Sequence, residues 1–370
     1  DKNENQFPDL DHVIVDTPQT TVNLATMAHY NYISPAFLQY IKAFEQQDAK
    51  RSESDKLMND ISYSYASPLV VITKQNGNIA FIEETHKYFD VTNPDAKFTS
   101  VTTMIHEYTQ PFDKEFWSAY KALEKLLPKD VWNVEKKSLL NSKKFDKVLL
   151  DLHSISENDF NREQQGILDE WDNENRKSCE RGTKIHADLE NSFYQKKKDI
   201  DISKFEIGGK FECRKDYSEL DIENGVYPEY LISRVSEDGK LRIAGQIDLL
   251  VKKGNKIIIA DWKTNKKIET KSFFNNKTKT SVKMKFPLNN LDDVNYWHYT
   301  LQLSTYAWMI QKLNPEFEIE DLVLVHFDHN DNMTVYHLPY LKTEVIKMLN
   351  HFKKESSLKA SRDKRKPIEY

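Results

Sequence analysis

After Gly225 the hydrophobic positions fall into three runs, 227–233, 241–251 and 256–263, punctuated by Asp238-Gly239 and Gly254-Asn255. Dipeptides of this kind close two-residue hairpins, so the runs predict three antiparallel neighbours. A helical period follows over 293–312, then strands over 322–327 and 334–338, and a last helix from about Lys342. Upstream, 69–102 predicts short strands turning at Gln75-Asn76-Gly77 and Asn93-Pro94-Asp95, after which helices continue to about Lys198. In the last of these, Ile185, Leu189 and Phe193 form an apolar stripe at a stride of four that leaves His186 and Glu190 together on the neighbouring face. Residues 1–64 are polar apart from an amphipathic stretch at Phe37, Ile41 and Phe44. The pattern predicts an α/β protein in three parts: a helical or partly disordered accessory segment over 1–64, a strand-turn and helical region over 65–170, and a core with a basic tail over 171–370.

In a two-residue hairpin, positions equidistant from the turn oppose each other and share a constant sum. Across Gly254-Asn255 that sum is 509, which sets Asp248 against Asp261 and Lys263 against Gln246. Across Asp238-Gly239 it is 477, which sets Glu229 against Asp248. Glu229, Asp248 and Asp261 thus form a row across three strands, with Lys263 on the same face because side chains alternate. The reverse face, Ile247, Leu249, Val251, Ile258, Ala260 and Trp262, reads as core. Like charges opposed on a sheet destabilise it, and a divalent cation is the simplest offset. The same face suits phosphodiester hydrolysis: carboxylates hold Mg²⁺, which polarises phosphate and acidifies a bound water, and a lysine stabilises developing charge. By this register, replacing Asp248 or Asp261 with asparagine leaves the metal-free protein as stable as before or more so.

Composition narrows the partners. The chain has 370 residues and a net charge of −5, with no apolar run long enough to span a membrane. Its polar, acidic start is unlike a signal or transit peptide, so an intracellular, cytoplasmic setting is expected. The lysine- and asparagine-rich composition suits an AT-rich bacterial or phage genome. The positive charge is clustered: eleven lysines between Lys252 and Lys285 face only Asp261 and Glu269, and a second basic cluster runs from Lys359 to Lys366. Clustered cations flanking a carboxylate row point to DNA. Two cysteines, Cys179 and Cys213, exclude a disulfide framework and a four-cysteine zinc or iron-sulfur site within the chain. No G-x-x-x-x-G-K-[ST] sequence is present, and Gly208-Gly209-Lys210 lacks its spacing, so no ATP site is expected.

Four segments in order resemble the RecB-type PD-(D/E)XK exonucleases, the mitochondrial genome maintenance exonuclease among them. They are Arg181-Gly-Thr-Lys-Ile-His186-Ala-Asp-Leu-Glu190, Gly245-Gln-Ile-Asp248, Asp261-Trp-Lys263-Thr264 and Gln302-Leu-Ser-Thr-Tyr306, with Ser100-Val101-Thr102 upstream. The resemblance spans roughly 98–338. It implies a restriction-endonuclease-like core, a central mixed sheet flanked by helices, and a metal-dependent exonuclease using Mg²⁺ or Mn²⁺. It further implies His186 as a metal ligand or its neighbour, Asp248 and Asp261 as principal ligands, Lys263 as the catalytic lysine, and Gln302 and Tyr306 bracing the site. Glu229 joins the catalytic set by register, and the Trp262 carbonyl is a candidate ligand. Arg181, Thr183, Thr264, Lys266 and Lys267 are the candidate DNA contacts. Tyr296, Trp297 and Tyr299 are assigned to the core, and His326-Phe-Asp328-His329 to a strand end rather than a second metal site.

The leading expectation is an exonuclease acting on single strands or DNA ends in replication, recombination or genome processing, with any helicase or polymerase supplied as a partner. A structure-specific endonuclease would use the same site, whereas a silent DNA-binding or assembly protein would not require Asp248, Asp261 and Lys263 together. Circular and linear DNA distinguish them: an exonuclease spares circles, and a binding protein spares everything.

Overall fold

The computed structural model describes residues 74–82, 85–214, 222–272 and 280–363, together with the short paired strands Ile14–Thr17, Thr20–Asn23 and Phe274–Asn275. The amphipathic stretch at 37–44 and the side chains of the basic cluster at 359–366 lie outside the described residues. Of the predicted accessory segment, only the hairpin Ile14–Thr17 with Thr20–Asn23 is described.

A small antiparallel sheet comes first, β1 Lys74–Asn76, β2 Ile79–Ile82, β3 Lys87–Asp90 and β4 Asn93–Lys97. Asn93-Pro94-Asp95, expected to turn, is the start of β4. The turn forms two residues earlier because Asp90 Oδ1 accepts from both the amide and the hydroxyl of Thr92, at 2.8 and 2.6 Å. Pro94 is tolerated because β4 is an edge strand. Next comes β5, Thr99–Ser100, and Ser100 caps the helix α1, Val101–His106, by accepting from the Thr103 amide.

Helices α2 (Lys114–Leu126), α3 (Lys129–Ser142), α4 (Val148–Leu152) and the first half of the 40-residue α5 (Glu157–Lys196) pack around their own core, with Phe116, Leu123, Trp132, Leu150 and Phe160 buried. The α5 helix is continuous through positions 170 and 171, so the helical unit and the sheet unit share it.

The central sheet holds β6 (Gly225–Val235), β7 (Arg242–Lys253), β8 (Lys256–Lys263), β9 (Glu318–Phe327) and β10 (Met333–His337) in that spatial order. It is mixed: β8 and β9 run parallel, the other neighbours in this row antiparallel. One face packs against α1, α6 (Asn295–Leu313) and α7 (Lys342–Asp363), and the other against the end of α5 and the segment 200–211. Helices on both faces explain why alternate positions do not separate into buried and exposed: Leu249 and Leu250 are both fully buried.

Both predicted registers hold where the strands pair, but the predicted Asp248–Asp261 opposition does not form, because the β7–β8 ladder stops one pair short of it. Pro228 pairs with Leu249 and Tyr230 with Ile247, while Leu249 pairs with Ala260 and Lys253 with Lys256. Three local details differ. Asp238-Gly239 is the centre of a wider loop and not a two-residue turn, because Asp238 accepts from the Ser236 hydroxyl and the Lys240 amide and the first backbone bond is Ser236 to Leu241. Ile247 packs with the α1–α6–α7 side while Leu249 and Val251 pack with the α5 side; Glu229, facing this point, has φ 54, which interrupts regular alternation. Lys263 does not oppose Gln246, because the β7–β8 ladder stops at Leu249–Ala260. Beyond that point β5 takes the place beside β7, pairing Thr99 with Ile243 and Ser100 with Ala244, and Lys263 pairs instead with His326 of β9. The sheet forks there, and the predicted catalytic residues lie at the fork.

Candidate active site

Where β7 and β8 separate, the Trp262 amide would lose its cross-strand acceptor. Asp248 supplies one: its Oδ2 accepts from that amide at 2.7 Å. Asp248 is thereby fixed by the backbone it separates. Glu229 faces it from β6, held by the side-chain amide of Gln246, which donates to Glu229 Oε2. His186 approaches from α5, its Nδ1 3.7 Å from Glu229 Oε1 and 3.7 Å from Asp248 Oδ2. Its Nε2 lies 3.2 Å from the Trp262 carbonyl, so Nε2–H is donated there and Nδ1 is left facing the carboxylates. That carbonyl, a candidate ligand by sequence, thus orients His186. Trp262 itself is buried against Phe205, with ring centroids 4.8 Å apart.

His186, Glu229 and Asp248 each offer one donor atom within 4.8 Å of the others. One imidazole nitrogen and two carboxylate oxygens fit a divalent cation such as Mg²⁺ or Mn²⁺, with remaining positions for water or phosphate. Asp261 stands behind this set, only 1% exposed. It is paired with the Lys263 ammonium through Oδ2 and accepts from Gln302 Nε2 at 3.1 Å through Oδ1. Gln302 also reaches the Tyr306 hydroxyl at 3.4 Å. Gly245 makes this approach possible: a Cβ there would lie 2.4 Å from the Tyr306 ring.

The charges are strongly coupled. Burial, then Asp261, push the Asp248 carboxyl up to about 7, against the opposing pull of His186 and Lys263. Burial alone would lower the His186 imidazole, but Asp248 and Glu229 overcome it and hold it at about 9. Burial likewise disfavours the Lys263 ammonium, and Asp261 and Asp248 reverse that, holding Lys263 firmly protonated. Lys263 is therefore a fixed cation here and not a base.

The candidate DNA contacts divide. Thr183, Lys266 and Lys267 are exposed, with Lys267 paired to Glu269 at 2.5 Å. Thr264 lies beneath α5, its hydroxyl 3.2 Å from where a Cβ on Gly182 would be. Arg181, expected at a phosphate, is engaged within the protein: it donates to the carbonyls of Thr264, Phe327 and Asp328 and pairs with Asp331 at 2.6 Å. It thus ties α5 to the ends of β8 and β9. His326 ends β9 as expected, with Nε2 2.7 Å from the Asn265 carbonyl, and Asp328 organises the following turn.

Two neighbours were not in the predicted set. Tyr299, assigned to the core, packs partly there but also lies under the Lys263 ammonium, 5.0 Å from ring centre to Nζ, with its hydroxyl 2.5 Å from Asn265 Oδ1. Its signal was available: 299, 302 and 306 share a helix face. Tyr88 of β3 comes from the small N-terminal sheet, and burial followed by the Glu229 and Asp248 charges push its hydroxyl above its usual range. No local pattern points from Tyr88 to residues so distant in sequence.

Fold and site together define an α/β protein whose sheet forks around a carboxylate centre with a histidine on one side and a buried aspartate–lysine pair on the other. Residues 143–366 match the family model of the PD-(D/E)XK nuclease superfamily, and the chain belongs to that superfamily. No curated protein matches it. Among solved structures it is similar to SSO0001, at 19% identity over 35% of this chain and 50% of that one, with a TM-score of 0.21. It is also similar to an exonuclease candidate from Eubacterium rectale, at 15% identity over 35% of this chain and 46% of that one, with a TM-score of 0.24. The chain spans about half the length of these structures, and likeness this low carries no argument about fold or function.

Proposed function

We propose that this chain is a divalent-metal-dependent deoxyribonuclease of the RecB type that hydrolyses phosphodiester bonds at DNA ends. The observation that carries the reading is the convergence of His186, Glu229 and Asp248 donor atoms within 4.8 Å, beside the buried Asp261–Lys263 pair at the sheet fork. Three of these five residues come from β7 and β8, one from β6 and one from α5, so the geometry rests on regular elements and not on mobile loops.

His186, Glu229 and Asp248 would hold Mg²⁺ or Mn²⁺, with Asp261 as a nearby carboxylate. When bound, the cation supplies Lewis acidity toward phosphate and lowers the pKa of a water. The protein's own groups do the rest. Lys263, held protonated, presents a fixed positive charge to phosphate oxygens as charge develops on them. Gln302 and Tyr306 fix Asp261, which fixes Lys263. The Trp262 carbonyl holds the His186 Nε2, which leaves Nδ1 facing Glu229 and Asp248. Exposed Thr183, Lys266 and Lys267 border the site and suit the DNA backbone.

The test is incubation of the full chain with single- and double-stranded DNA, linear and circular, with Mg²⁺ or Mn²⁺. Degradation of linear DNA with circles spared is expected. Nicked or linearised circles would replace the exonuclease with an endonuclease, and no cleavage under any condition would overturn the proposal.

A further inference from the structure

Away from the carboxylate centre, one groove gathers more cations than its carboxylates can pair. It lies between the end of β4, the start of β7 and helix α7, and encloses about 550 Å³. Lys97, Lys240 and Arg242 line it, with Asp95 as the only carboxylate. A second depression of about 370 Å³ continues from it through Lys240 to Lys353 and Lys354, with Asp238 the only carboxylate. Asp238 is already used, by Lys353 at 2.9 Å and by Ser236 at 2.6 Å. By contrast, Lys97, Arg242 and Lys354 make no ion pair or side-chain hydrogen bond among the described residues. Arg242 is half-buried, and a half-buried guanidinium whose five donors have no partner among the described residues suits an anion. The local surplus of positive charge stands against a chain whose net charge is −5.

The groove also has a direction. Arg242, Ala244 and Gln246 share one face of β7, the face on which Ala244 packs with Phe81 of the small sheet and Gln246 holds Glu229. From Arg242 to Asp248 is six residues, or about 20 Å along the strand. Ala244, between them, is buried beneath the small sheet, so a single strand joining the two places would pass over that sheet and span at least about six nucleotides at stacked spacing. Past Leu358 the sequence adds Lys359, Arg362, Lys364, Arg365 and Lys366, which extends the same basic character.

We propose that the groove formed by Lys97, Arg242 and Lys354 binds the phosphate backbone of the same nucleic-acid strand that enters the carboxylate centre, at least about six nucleotides from it. The proposal rests on reading the chain as a DNA-acting protein, and it adds a second contact that makes affinity depend on strand length. Short strands reach only the centre. Longer strands engage both sites, and the second contact then acts at high effective concentration.

The experiment is equilibrium binding of fluorescent single-stranded DNA to the full chain in Ca²⁺, which fills a carboxylate centre without supporting rapid cleavage. Strands of about four and about twenty nucleotides, below and above the spacing between the sites, are compared over a range of salt. The triple variant Lys97→Gln, Arg242→Gln, Lys354→Gln should bind the long strand about tenfold more weakly. Its dependence of log affinity on log salt should flatten by about 2, the value for three lost phosphate contacts on a single strand. Binding of the short strand should match wild type. Long-strand affinity and salt slope equal to wild type would overturn the proposal, as would an equal loss on short and long strands. A matched triple variant of exposed helical-unit lysines, Lys129→Gln, Lys137→Gln, Lys144→Gln, should leave the length dependence intact; an equal effect would reduce the groove to bulk charge and overturn it. If the triple variant melts early, Lys354→Glu alone carries the test, since that side chain is exposed and unpaired. A wild type that binds but never cleaves would overturn the nuclease reading and leave the groove standing. A wild type that cleaves while the triple variant binds normally would overturn the groove alone.

Discussion

Replacing Asp261 and replacing Asp248 with asparagine should move the stability of the metal-free protein in opposite directions. Register alone made the two aspartates equivalent members of a repelling row. In the structure Asp261 is 1% exposed and paired with Lys263, whose side chain is 19% exposed, so Asp261→Asn removes the countercharge of a buried ammonium. Breaking a buried pair from one side costs about 3–5 kcal/mol, and the slight exposure of Lys263 favours the lower end. For a unit of this size about 3 kcal/mol corresponds to a fall in Tm of about 6–12 °C. The Gln302 contact survives, since asparagine keeps an oxygen at Oδ1, so the loss reports the charge. Asp248 is held up to about 7 by burial and by Asp261, so above neutral pH its charge opposes folding. Asp248→Asn keeps an oxygen for the Trp262 amide and removes that charge, which should stabilise by of order 2 kcal/mol at pH 8. Lys263→Met in the Asp261→Asn background should recover most of the loss, as deleting both partners of a buried pair is far milder than deleting one. The assay is thermal and urea unfolding of wild type and the three variants in EDTA. An Asp261→Asn variant as stable as wild type, or an Asp248→Asn variant that falls with it, would refute the assignment of one aspartate to the lysine and the other to the repelling set.

Lys263→Ala should reduce cleavage by at least a hundredfold while leaving DNA affinity nearly unchanged, because it removes one cation among many but the one paired with Asp261; turnover against gel-shift affinity checks this. His186→Ala should lower activity and shift the preference between Mg²⁺ and Mn²⁺ toward Mg²⁺, since imidazole suits manganese better; rates titrated with each ion test it, and identical profiles would remove His186 from the donor set. Metal-induced stabilisation should grow with pH. Asp248 raised from 3.8 to about 7 and His186 raised from 6.5 to about 9 both favour the protonated folded state, so the stability they contribute is present at low pH and lost as pH rises through about 7 and then about 9. A cation must displace those protons, so the Tm shift on adding Mn²⁺ should be small at pH 6 and approach its full value near pH 9, and a flat or falling profile would contradict it.

Much of this arrangement was legible in the sequence because it is local. Hairpin sums placed Glu229 against Asp248, and β6 and β7 keep that register. A helical stride put Gln302 and Tyr306 on one face, and the structure brings both to Asp261. What failed was each step that needed knowledge of a third element. Gln246 opposite Lys263 assumed the hairpin continues, but β5, from over 140 residues upstream, takes that place beside β7. Arg181 was given to phosphate because its acceptors, the carbonyls of Thr264, Phe327 and Asp328, are backbone groups with no signature in side-chain pattern. Tyr88 was invisible because it reaches the site through docking of the small sheet, where Asn76 Nδ2 donates to the Leu231 carbonyl at 2.7 Å and Phe81 packs on Ala244.

The sequence by itself therefore determined the elements, their pairing registers and the donor types on each strand, since periodicity and turn chemistry act between near neighbours along the chain. Tertiary structure alone decided that the strands part at Asp248, that one aspartate neutralises a lysine while the other joins a histidine and a glutamate, and that Gly245 admits the Tyr306 ring. Those outcomes depend on which distant segment fills the space beside an opened strand, and burial then sets which charges can be left without a partner.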